Sequence, residues 1–125
     1  MGAIAADWLL ILGRILLGGL FVTAGLQHFF EFGQLSDHLA ARRVPLPQIA
    51  LLLGTAFQIF AGFGLMFGFF IYYASIGLAA FTLVASVLML NFWDLDGEPR
   101  KSARQIWQAN LAIIGGLLIS AAYAM

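Results

Sequence analysis

The sequence predicts an all-α integral membrane protein: a bundle of four transmembrane helices in a single domain spanning residues 1–125. Three observations carry that reading. Hydrophobic residues make up 62% of the chain and charged residues only 10%, whereas a water-soluble domain has about 25% charged residues. Mean hydropathy is +0.96. The charges gather in two polar loops, leaving the run from Pro45 to Trp93 without one Asp, Glu, Lys or Arg.

The first helix is expected at Trp8–Phe30, which supplies the ~20 apolar residues that a membrane crossing needs. On a helix of 100° per residue, Arg14, Gly18, Phe21, Gly25 and His28 fall at offsets 0, 4, 7, 11 and 14 and form one narrow stripe. Two polar residues and two glycines on one face of an apolar helix should meet other helices rather than lipid. The preceding MGAIAADW has neither a basic segment nor a cleavage site after the apolar run, and is expected to be retained. It also lacks the Ser or Thr of a myristoylation signal.

Glu31 to Pro47 forms the first polar loop, in which Ser36–Arg43 suits a short interfacial helix capped by Ser36. Pro45 and Pro47 set up the next helix. The uncharged run to Trp93 is too long for one crossing and fits two, near 48–67 and 70–92, divided where Gly68 can turn the chain and Tyr72 and Tyr73 suit the interface. The second polar loop, Trp93–Arg104, concentrates six charges around a turn marked by Gly97 and Pro99. Gln105–Tyr123 supplies the fourth crossing.

With four crossings both polar loops share one side. They hold Arg42, Arg43, Arg100, Lys101 and Arg104, so the excess of positive charge on cytoplasmic loops places both loops in the cytoplasm and both termini outside. Small residues recur at helical spacing in Gly54, Ala61 and Gly68, in Ser75, Ala79, Thr82 and Ser86, and in Ala112, Gly116 and Ser120. Such spacing lets backbones approach closely in lipid, and it also leaves room for a lipid or quinone slot.

Two groups of polar residues stand out. Arg14 and Gln58, both inside helices, are expected to form an intramembrane clamp, since no acid inside a helix is available to pair with the guanidinium. At the cytoplasmic end, Gln27 and His28, Asn91 and Trp93, and Trp107 and Asn110 should lie at similar depth. That cluster reads either as interfacial anchoring and interhelical hydrogen bonding, or as a site for a quinone head or another amphipathic molecule, with one imidazole able to exchange a proton. No catalytic residue is indicated. A metal or haem site is not indicated either, because only His28 lies on a crossing helix and no His-x-x-His or Glu-x-x-His pair occurs. Asp94, Asp96 and Glu98 read as a solvated turn beside Arg100, Lys101 and Arg104. Balanced charge suggests no nucleic-acid partner, and the absence of cysteine removes disulfides, thiolate metal sites and sulfur relays.

Gly13–Arg14, Leu17–Gly18 and Phe21 through Gly25, then Gly62–Gly64–Leu65 and Gly68, then Asn91–Phe92–Trp93, and last Gln105, Trp107, Asn110–Leu111 and Gly115 through Leu118 make the chain resemble the DoxX family of small four-helix bacterial membrane proteins. The resemblance implies an inner-membrane location and a role as a non-catalytic subunit or partner of a membrane oxidoreductase, with quinone as the small molecule of interest and no covalently bound cofactor. It also implies departures: a lysine is expected where His28 stands, a glutamate where Gln58 stands, and often a histidine where Leu90–Asn91 precede the aromatic pair. Two other classes remain open. One is a carrier of lipid or a small amphipathic solute, which a cavity lined by Gln58, Thr82 and Ser86 would favour. The other is a scaffold whose Arg42–Arg43 and Arg100–Arg104 meet anionic membrane lipid or a partner. Glycine on several helix faces also suits pairing with a second copy.

Overall fold

The structure, a computed structural model, describes residues 2–125. It is all helical, with α1 at Gly2–Phe30, α2 at Phe32–Ala41, α3 at Pro47–Phe67, α4 at Ile71–Met89 and α5 at Gly97–Tyr123, and a single 3-10 turn at Phe92–Asp94 between α4 and α5. Among the described residues, four helices are long and apolar enough to cross a membrane: α1, α3, α4 and α5. Their outward faces carry Leu9, Leu16, Phe60 and Ile119, each well exposed, as an apolar coat suited to acyl chains.

α1 begins at Gly2, six residues before the expected Trp8, and three further boundaries differ from the sequence reading for local reasons. The helix in the first polar loop begins at Phe32 rather than Ser36. Ser36 is therefore interior to α2 and buried, and its hydroxyl donates back to the Phe32 carbonyl at 2.7 Å instead of capping the helix. The third crossing helix stops at Met89, because Leu90 takes φ −122 and ψ 51, and Asn91 and Phe92 leave the helix. α5 starts eight residues before its apolar stretch, at Gly97, so its charged first turns extend out of the apolar layer.

The packing rests on glycine. α1 and α3 form the most extensive helix pair, and they touch backbone to backbone at Gly18 and Gly62. A Cβ at Gly62 would lie 2.8 Å from the Gly18 carbonyl oxygen and 2.9 Å from Val22 Cγ2. The stripe on α1 is thus the contact seam: Gly18, Phe21 and Gly25 are buried. On α3 the facing small residue is Gly62, one position after Ala61 of the spacing seen in the sequence. α4 and α5 make the second extensive pair, joined by a hydrogen bond of 2.8 Å between the Ser75 and Ser120 hydroxyls. Contact between α3 and α4 is thinner. Leu65, Leu78 and Leu117, each wholly buried, close the middle of the bundle with Phe21 and Ala61.

The α3–α4 turn is tight. Gly68, at φ 83, lies in the left-handed region that glycine reaches without cost, and the amides of Gly68 and Phe69 both donate to the Gly64 carbonyl at 2.8 Å. Gly64 itself leaves room for the Phe69 carbonyl, which a Cβ would meet at 2.7 Å.

Candidate functional site

A pocket of about 530 Å³ opens at the polar-loop end of the bundle. α1 contributes Phe21, Ala24 and His28; α3 contributes Leu51, Gly54, Thr55 and Gln58; α4 contributes Phe81, Thr82, Ala85, Ser86 and Met89; and α5 contributes Asn110 and Ile113. Gly54 and Ala85 make room in it, since larger residues at those positions would occupy the space between α3 and α4. α2 lies across its end, presenting Leu35 and Leu39, with Val44 just beyond. The rim includes Leu20 and Val84, which face outward at 45% and 57% exposure, so a molecule in the bilayer can reach the pocket from the side. Leu65, Leu78 and Leu117 do not line it; Phe21, which does, belongs with them to the buried core of the bundle.

The lining is apolar except for six side chains: His28, Thr55, Gln58, Thr82, Ser86 and Asn110. His28 Nδ1 and Thr55 Oγ1 share a hydrogen bond of 3.2 Å. The Asn110 Nδ2 group donates to Ser86 Oγ at 2.9 Å, and the Ser86 hydroxyl donates to the Thr82 carbonyl at 2.7 Å. The Thr82 hydroxyl donates to the Leu78 carbonyl at 2.7 Å. Gln58 Nε2 donates to the Phe21 carbonyl at 3.0 Å and ties α3 to α1.

Of the polar residues that the sequence grouped at this end, the structure brings His28 and Asn110 to the pocket and puts the others around it. Gln27 is exposed on the outer side of α1, as adjacent positions on a helix point about 100° apart. Asn91, past the end of α4, donates from Nδ2 to Asp94 Oδ2 at 3.1 Å. Trp107 donates from Nε1 to the Leu90 carbonyl at 2.7 Å, taking up an acceptor at the frayed end of α4. Trp93 and Trp107 pack edge to face with Phe92.

Arg14 and Gln58 occupy separate places. Gln58 bonds to Phe21, while Arg14 stands beside the α3–α4 turn, in a second cleft with Gly68, Tyr72, Tyr73 and Tyr123. Arg14 Nε is buried there without a hydrogen-bond partner.

Two residues that sequence reasoning did not place at the pocket matter at this end. Thr55, 1% exposed, is the partner of His28; a lone threonine in an apolar helix carries no signal of its own. Arg42, read from the sequence as a surface charge, closes the end of α4. Its Nε donates to the Leu88 carbonyl and one Nη to the Val87 carbonyl, both at 3.2 Å. Its other Nη lies 3.5 Å from Asp94 Oδ2, and the guanidinium sits 6.0 Å from the Trp93 ring centre. A cation at a helix C-terminus satisfies carbonyls that have no partner in the helix and meets the negative end of its dipole. The same residue fixes α2 over the pocket.

Comparison with known proteins adds the following. The family model described as DoxX matches residues 9–91. The chain is 23% identical to the inner membrane protein YphA of Escherichia coli (strain K12) over 113 residues, covering 90% of this chain and 81% of that protein. No solved structure matches the chain.

Proposed function

The chain belongs to the DoxX family, and on that premise we propose that it is a multi-pass inner-membrane protein acting as a non-catalytic subunit or partner of a membrane oxidoreductase, holding an apolar molecule with a small polar head, of the quinone class, in the pocket between its helices. The inner-membrane placement draws on the name of its relative and on the four apolar helices. Both polar loops lie at the pocket end and carry Arg42, Arg43, Arg100, Lys101 and Arg104, which supports a cytoplasmic orientation for that end.

The observation that carries the reading is the pocket. It has the size and apolar lining of small-molecule sites, with a few converging polar groups. Its side opening suits a ligand that arrives through the bilayer. The Leu65, Leu78 and Leu117 layer behind it supports holding a ligand over passing one through, so the carrier reading is the weaker of the two.

Titration of a short-chain benzoquinone analogue, and of its hydroquinone, into the purified protein tests this. Wild type should bind. Ala85→Phe, which fills the pocket from α4, should abolish binding, and His28→Ala should weaken it on the order of tenfold, the usual worth of one hydrogen bond to a ligand head. Equal binding by all three proteins, or binding by none of them to either the quinone or its hydroquinone, removes the quinone-class reading.

A further inference from the structure

The hydrogen bonds around the pocket are directional, and their direction selects a ligand. Gln58 is 3% exposed and lines the deep end. Its Nε2 donates to the Phe21 carbonyl, and a carbonyl oxygen only accepts, so the amide cannot be reversed. The acceptor Oε1 is therefore fixed in place, and it is buried with no partner. On the facing wall, the Thr82 hydroxyl proton is committed to the Leu78 carbonyl and the Ser86 proton to the Thr82 carbonyl. Both residues line the pocket and each hydroxyl keeps lone pairs, of which Asn110 already takes one on Ser86. Deep in the pocket, then, the protein offers two hydroxyl oxygens whose protons are spent and one carboxamide oxygen without a partner, while the Gln58 and Asn110 amides each keep a second N–H. At the mouth the His28–Thr55 pair can both give and take a proton, since either ring tautomer satisfies it.

We propose that the deep end of this pocket selects a ligand head that donates a hydrogen bond, a hydroxyl on an otherwise apolar molecule, over the matching head that only accepts. Resting on the quinone-class reading above, this makes the quinol, rather than the quinone, the form that the protein holds. A quinone carbonyl, which only accepts, leaves Gln58 Oε1 unpaired. Gln58 Oε1 is enclosed in the pocket, and a quinol hydroxyl that displaces its neighbours gives it the donor it lacks. Leaving a buried acceptor unpaired discriminates more sharply than any difference in apolar contact, which the two heads share.

The test uses the full chain in lipid nanodiscs and four probes with the same alkyl tail: a benzoquinone, its hydroquinone held reduced, a 4-alkylphenol and the corresponding 4-alkylanisole. Wild type should bind the hydroquinone and the phenol on the order of tenfold more tightly than the quinone and the anisole. Gln58→Met, similar in shape but without the acceptor, should bring both ratios close to one. Thr82→Val leaves the Gln58–Phe21 bond in place and should lower the ratios part of the way, so the proposal stays open to test if the Gln58 variant does not fold. Quinone or anisole binding as tightly as its hydroxyl counterpart overturns the proposal and leaves the quinone-class reading standing. Preference for phenol over anisole, with no binding of either quinone form, upholds the donor selection and overturns the quinone-class reading. Binding of none of the four overturns both.

Discussion

Replacing Gly62 by alanine is the sharpest test of how the bundle is held together. The new Cβ would stand 2.8 Å from the Gly18 carbonyl oxygen, 2.9 Å from Val22 Cγ2 and 3.2 Å from the Val22 nitrogen, where ordinary contacts begin at 3.4 Å. Two of those three atoms are backbone, so no rotamer change relieves the clash and α1 must back away by about half an ångström along its seam with α3. Overpacking of this kind costs about 1–3 kcal/mol, and a backbone collision belongs at the top of that range. Alanine returns up to ~1 kcal/mol through its better helix propensity. The net expectation is a loss of about 2 kcal/mol, roughly a thirtyfold change in the unfolding equilibrium. Gly13→Ala is the matched control, because a Cβ there meets nothing within 4 Å; that variant should be neutral or slightly stabilised. Reversible unfolding of both variants in mixed micelles, followed by circular dichroism against increasing denaturing detergent, gives the comparison. A Gly62→Ala protein as stable as Gly13→Ala would refute the close backbone approach of α1 and α3.

Three further outcomes follow from the same geometry. Ser75→Ala, Ser120→Ala and the double variant, compared by the same unfolding assay, should give a coupling of about 0.6 kcal/mol and no more than ~1.7, the measured scale for hydrogen bonds between helices in a bilayer; zero coupling would deny the bond between them. Arg42→Met should raise amide exchange throughout α2 and cost about 1–2 kcal/mol from the carbonyls left without a partner at the end of α4. Arg42→Lys should not restore protection, because a single ammonium cannot reach Val87, Leu88 and Asp94 in the planar arrangement that guanidinium provides. Trp107→Phe keeps the ring packing with Phe92 and loses only the bond to the Leu90 carbonyl, so about 1 kcal/mol of stability should go, together with faster exchange of the amides at the end of α4.

How far the sequence carried the fold depended on which residues do the work. The four crossings were legible because lipid demands long apolar stretches and the charges mark their limits. The α1 seam was legible because Gly18, Phe21 and Gly25 recur at helical spacing. Its partner was less so: Ala61 and Gly62 are adjacent small residues, and only the crossing geometry decides which of them meets Gly18. The site was legible in part. His28 and Asn110 were picked out as polar groups at equal depth, and both line the pocket. Depth says nothing about facing, however, and Gln27 turns outward while Asn91 lies beyond the helix end. Thr82 and Ser86 stand in the sequence with Gln58 as the lining of a candidate cavity, and all three line the pocket; Thr55 alone hides as an ordinary small residue of a membrane helix. Arg42 was misleading for a different reason: next to Arg43 it reads as half of a charged pair, yet only its side chain folds back onto α4.

The thin contact between α3 and α4 has a bearing on the protein's lifetime. With α1 joined to α3 through glycine and α4 to α5 through serine, the bundle amounts to two tightly made halves meeting along a looser line, and the pocket lies on that line. An occupant touches both halves at once and binds neither when they part. A ligand of the proposed class would therefore act as a fastener, adding ~2.7 kcal/mol against separation at a hundredfold excess over its dissociation constant. Membrane proteases that attack opened helices would clear empty copies faster than filled ones. The steady amount of the protein would then rise and fall with the supply of its ligand, without any change in its synthesis.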